Sequence, residues 1–209
     1  MIFLKKGAMF GLDARISLAI FGALSVISGA ALYSAIQSAK SEQWRQYFVE
    51  VVKATEAYYL DMGEQLSVQN ATLYYMYASD LVSNRTSSSN WKGPYISPDQ
   101  SSGYYMRDSM TRQLNATAYT SVWLRKGSTW TEMNDNTTDG YCVVGDSDCN
   151  EWIIVYPAHI DQKNAIVQIF NNLDKLVDSG DGELAGIVRL NSGVIPTLMY
   201  KGMPHKRTS

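Results

Sequence analysis

Residues 16–36, ISLAIFGALSVISGAALYSAI, run for 21 positions without a charged side chain, and their reading decides the fold. A helix of about 20 apolar residues, rising about 1.5 Å per residue, crosses the ~30 Å hydrocarbon core of a bilayer. Lys5 and Lys6 precede the run and Lys40 is the first charge after it. The positive-inside rule therefore leaves the N-terminus in the cytoplasm and exports the chain beyond Lys40. A secretory signal has a shorter apolar core of roughly 7–15 residues, closed by a small-x-small cleavage site. Here the run is longer and leads into Gln37-Ser38-Ala39-Lys40, so conventional signal cleavage is not expected.

The helical pattern continues past the charge-free run. Trp44, Tyr47, Phe48, Val51, Thr55, Tyr58, Tyr59 and Met62 recur at helical spacing, and Gly63 supplies a stop signal. The spacing predicts one helix over 9–62, roughly 80 Å long at about 1.5 Å per residue. Its first half, 9–36, suits lipid or other apolar helices, and its second half, 37–62, presents one aromatic-rich stripe that must pack on a domain. Gly22 and Gly29, with Ser25 and Ser28 between them, are small residues of the kind that let helices approach closely.

Before this helix stands a short basic leader, Met1-Ile2-Phe3-Leu4-Lys5-Lys6-Gly7-Ala8, followed by Met9-Phe10-Gly11-Leu12-Asp13 with its lone acid at the edge of the apolar run. Leader, acid and long helix together resemble the type IV pilins and type II secretion pseudopilins. The resemblance implies cleavage by a prepilin peptidase after a small residue and a carboxylate at the fifth mature position. Cutting between Ala8 and Met9 places Asp13 fifth and is preferred; cutting after Gly7 matches the usual leader residue and places Asp13 sixth. Aspartate stands here where the family carries glutamate. The role implied for Asp13 is to neutralise the N-terminal ammonium of a neighbouring subunit and so set the register of assembly, a use that suits a carboxylate costly to hold unpaired at membrane depth. A second match, weaker by itself because Gly-Pro before an aromatic residue is ordinary turn chemistry, is Trp91-Lys92-Gly93-Pro94-Tyr95.

The fold expected is α+β and pilin-like: a leader over 1–8, the long helix over 9–62 and an exported domain over 63–209, in which a small antiparallel sheet covers the helix stripe. Strands are expected over 118–125, 141–144 and 151–156, which are rich in aromatic and β-branched residues. A short helix is expected over 73–82, and an amphipathic helix over 160–177 capped by Asp161. Asn191-Ser192-Gly193 between two apolar runs predicts a C-terminal hairpin, with Pro196 marking its second strand as an edge. Cys142 and Cys149 lie on the exported side with six residues between them, so a local disulfide is expected in that oxidising space.

Composition and motifs weigh against other classes. The net charge of −2 offers no electrostatic footprint for nucleic acid. No Gly-x-Ser-x-Gly, Gly-rich phosphate loop or His-Glu-x-x-His occurs. The two histidines, His159 and His205, offer little material for a general base, and no enzyme activity is expected. No cofactor is expected either. Two acidic groups, Asp174, Asp178, Asp181 and Glu183 near two glycines, and Asp146, Asp148 and Glu151 in the cystine loop, are the places where calcium could bind, although neither has the spacing of a full calcium loop. Asn70, Asn84, Asn115 and Asn136 each begin an Asn-x-Ser/Thr triplet and are expected to be exposed. The resulting expectation is a structural subunit held in a bacterial inner membrane, then assembled with its own copies into a helical pilus or periplasmic pseudopilus by the prepilin peptidase and the assembly machinery. The alternative is an uncleaved, membrane-anchored periplasmic binding module.

Overall fold

No proline interrupts the chain before Pro94, and helix α1 (Gly7–Met62) runs unbroken through both its apolar and its amphipathic stretches. It ends where the spacing predicted: Gly63 adopts φ +72°, and its N–H donates to the Tyr59 carbonyl at 2.8 Å. A left-handed residue of this kind satisfies orphan carbonyls at a helix end without Cβ strain. The structure, a computed structural model, describes residues 7–70, 75–126, 142, 145–193 and 195–205. It comprises two units, Met1–Lys40 and Ser41–Ser209.

In the second unit α1 places Trp44, Phe48, Val51, Ala54 and Tyr58 in a core where each is at most 3% exposed. They lie under an antiparallel eight-stranded sheet. Its strands are β1 (Val68–Asn70), β2 (Tyr75–Met76), β3 (Gln100–Ser102), β4 (Tyr105–Arg107), β5 (Tyr119–Lys126), β6 (Cys149–Tyr156), β7 (Val188–Asn191) and β8 (Thr197–Pro204). The main order is β1-β2-β5-β6-β8-β7, and the β3–β4 hairpin joins through β4 to β5. Side-chain alternation divides the sheet between two faces. Val122, Leu124, Ile153, Val155, Val188 and Leu198 share the core of α1. α3 (Lys163–Val177) adds Ile166, Phe170 and Leu173 to it. Trp123, Trp152, Ile154 and Met199 form a second cluster on the opposite face, with the guanidinium of Arg189 lying 4.9 Å from the Trp152 ring. Between α1 and β5 the Tyr47 and Thr120 hydroxyls share a 2.6 Å hydrogen bond, which supplies a partner for a phenol otherwise sealed from water.

Helix, sheet, second helix and hairpin thus follow the α+β expectation, with local departures. Residues 75–82 form β2 and a 3-10 turn at Ala78–Leu81 in place of the expected helix; 71–74 lie outside the described residues. Tyr75 pairs with Trp123 of β5, and that long-range ladder outweighs local helical periodicity. Asp161 does not cap α3. It lies in a 3-10 turn, Ile160–Gln162, and pairs with His159 at 3.0 Å, while Gln162 precedes α3 without a side-chain cap. The hairpin forms with Asn191 opposite Thr197, but its second strand, β8, is interior, between β6 and β7. Pro196 precedes that strand by one residue, so its missing N–H costs the ladder nothing. Of the strand expected over 141–144 only Cys142 is described, and it is not in a strand. The β3–β4 hairpin and the short α2 (Ser109–Arg112) were not anticipated; the Asp108 carboxylate, accepting from the Met110 and Thr111 N–H groups, was the legible signal for α2.

Candidate functional site

The first unit consists of α1 up to Lys40, long and apolar enough to cross a membrane by length and composition. Its large apolar side chains are uncovered in the single chain: Leu18, Phe21 and Val26 are 72%, 70% and 73% exposed. A Cβ added at Gly11, Gly22 or Gly29 would meet nothing within 4 Å, so no packing against the described residues requires glycine there. Gly7, Ala8 and Met9 lie in the first turns of α1. Asp13 is exposed and forms no ion pair or hydrogen bond with a described residue. Arg15, two positions on, is not on its face of the helix. The sequence-predicted cleavage and register residues, Gly7, Ala8, Met9 and Asp13, therefore lie in the first two turns of one helix, ahead of the exposed apolar stretch.

In the second unit the Trp91–Tyr95 motif ties a loop to the end of α1. The Trp91 indole N–H donates to the Asp80 carbonyl at 2.8 Å, and the Tyr95 hydroxyl donates to the Asp61 carboxylate at 3.0 Å. The Tyr95 ring meets Tyr58 edge-on, with centroids 5.8 Å apart. Cys142 and Cys149 form the expected disulfide, and both are buried. Cys149 opens β6, and its carbonyl accepts the His205 N–H at 2.8 Å.

The two acidic groups differ. Glu151 does not belong with Asp146 and Asp148 in an open loop. It is a β6 residue with no exposed surface, and its carboxyl lies 3.8 Å from His205 Nδ1. Burial pushes its pKa up, against the pull of His205 and Thr55. Asp174, Asp178 and Asp181 do converge, with one oxygen of each within 4.8 Å of the others; Glu183 is not part of that group. His159 is exposed, and its partner is Asp161. Asn84 and Asn115 are half-buried and engaged in their own turns: Asn84 bonds both the N–H and the carbonyl of Ser88, and Asn115 accepts from the Thr117 N–H. Asn136 lies outside the described residues. Sequence reasoning missed a cleft of about 390 Å³ beside α1 and β8, lined by Val52, Lys53, Glu56, Ile187, Tyr200 and Gly202 among others. Its walls come from residues far apart in sequence, and no local motif signals it. No family model, curated protein or solved structure matches the chain.

Proposed function

We propose that this chain is a structural subunit of a type IV pilus-like filament or a type II secretion pseudopilus, assembled through α1 after removal of the leader. The observation that supports this reading is the contrast along one helix. From Ser41 onward its apolar stripe is buried by its own domain, while the large apolar side chains from Leu12 to Ile36 are exposed. In a bilayer, lipid covers them; in a filament, the same surface of other copies does. Asp13 meets a neighbouring N-terminal ammonium only in the filament, where the Coulomb gain offsets the cost of holding a carboxylate among apolar helices. The partners are further copies of the chain, the prepilin peptidase and the assembly machinery. The protein occupies the inner membrane first and a periplasmic or extracellular filament afterwards.

Mass spectrometry of the mature N-terminal peptide, from bacterial membranes or sheared filaments, tests the reading. A chain beginning at Met9, or at Ala8, is the expected result. Retention of Met1 would overturn it and leave the tethered binding module. That second reading is favoured by the α1–β8 cleft, which falls within the roughly 300–1,000 Å³ range of small-molecule sites.

A further inference from the structure

The end of β8 and the residue after it form a strap across the start of β6. The Gly202 backbone lies close against Glu151: a Cβ there would stand 3.0 Å from the Glu151 carbonyl oxygen. Pro204 is opposite Asn150, and the His205 N–H donates to the Cys149 carbonyl at 2.8 Å. Gln65, just after α1, donates its side-chain amide to the Pro204 carbonyl at 2.9 Å. These bonds place the His205 imidazole beside the Glu151 carboxyl, with Nδ1 3.8 Å from Oε1.

Three buried polar atoms meet there without a hydrogen bond to any described residue: both carboxyl oxygens of Glu151, and His205 Nδ1. Glu151 has no exposed surface, and the His205 side chain, 11% exposed, stands on its solvent side. The Thr55 hydroxyl also acts on the carboxyl, but its proton goes to the Val52 carbonyl at 2.9 Å. Among the described residues His205 is therefore the group with which Glu151 can exchange a proton. Glu56 of α1 acts on the carboxyl as a like charge, Leu124 stands opposite on β5, and Lys53 and Lys201 line the cleft outside. One shared proton lets the pair stay neutral, whereas its loss leaves a carboxylate sealed from water, which is strongly unfavourable. Burial accordingly pushes the proton affinity of Glu151 up, and Glu56 adds to the rise.

We propose that His205 is a pH-dependent latch, which holds the end of β8 over Glu151 while the two side chains keep a proton between them and releases it when that proton is lost. The strap is the least anchored cover of the carboxyl. One main-chain bond to Cys149 and one side-chain bond from Gln65 hold its end, whereas β5 and α1 belong to the core. Lifting it lets water reach Glu151, which then returns to ordinary carboxylate behaviour. The held form is therefore fully favoured below the ordinary carboxylate range. It loses ground as pH rises toward the raised value, by up to about tenfold in population per pH unit. The latch lies wholly within the Ser41–Ser209 unit and works whether or not α1 assembles.

The test is hydrogen exchange of the full chain in detergent, read by mass spectrometry on the C-terminal peptide that carries the His205 amide. Each rate is divided by that of the unfolded chain at the same pH, which cancels the intrinsic pH dependence of exchange. From about pH 5 to about pH 9, protection of this peptide should fall by about tenfold or more, and at every pH it should stay below that of β5. Glu151→Gln cannot ionise, and its protection should be level across the series. His205→Ala removes the latch at a partly exposed position that leaves the domain folded. It should lower protection of the strap by about tenfold or more at the acid end while β5 stays protected. Strap protection in the wild type that does not change with pH would overturn the proposal, as would an undiminished fall in Glu151→Gln or wild-type protection in His205→Ala. Protection of the strap equal to that of β5 would also overturn it, because Glu151 would then meet water only on global unfolding.

Discussion

Glu151 occupies a position on β6 where a hydrophobic residue would meet less opposition. It has no exposed surface, and burial raises its pKa, with Glu56 adding to the shift and His205 and Thr55 opposing it. Between the ordinary carboxylate range and that raised value the folded chain holds a proton that the unfolded chain has lost. Stability is therefore fully present below the ordinary range and falls as pH rises toward the raised value, by up to about 1.4 kcal/mol per pH unit. Glu151→Gln cannot ionise. Urea unfolding of the full chain in detergent, across a pH series, should show a shallower slope for the variant and greater stability at the alkaline end. Equal slopes would remove Glu151 from the account. In sequence Glu151 reads as a neighbour of Asp148; strand alternation, which sends it inward, is what separates them.

Helix α1 carries two stretches of different exposure. Phe48 has no exposed surface and stacks on Tyr200 of β8, with ring centroids 5.0 Å apart. Phe48→Ala should cost about 3–5 kcal/mol, read by chemical denaturation of the detergent-solubilised chain. Leu24 is 57% exposed on the same helix. Leu24→Ala should change that stability by no more than about 0.5 kcal/mol and yet, on the proposed reading in which other copies cover it, lower the yield of sheared filaments. A large stability loss at Leu24 would contradict an uncovered N-terminal stretch. The C-terminal end of α1 was legible because helix hydrogen bonds are local and Gly63 is a local stop. The same holds for α3, whose Ile166, Phe170 and Leu173 face the core at helical spacing.

At the scale of the whole molecule, the proposed assembly and the folding of the domain make separate predictions. Asp13 is exposed and makes no ion pair or hydrogen bond with a described residue. Asp13→Ala should leave domain stability within about 0.5 kcal/mol and the membrane level of the protein unchanged, while filament yield measured by shearing falls sharply. Normal filament yield would remove its role in register. The sequence by itself determined the long helix, its charge-free span, its end at Gly63, the second helix and the cystine, because each rests on neighbours within a few turns of chain. It also brought Asp174, Asp178 and Asp181 into view as a group. Only the tertiary structure decided that β8 lies inside the sheet despite Pro196, that residues 75–82 join a strand and a 3-10 turn, and that Asp174 and Glu151 are buried while Asp181 is not. Strand order and burial depend on pairing between residues distant in sequence, and a local pattern carries no record of which distant surface will cover it.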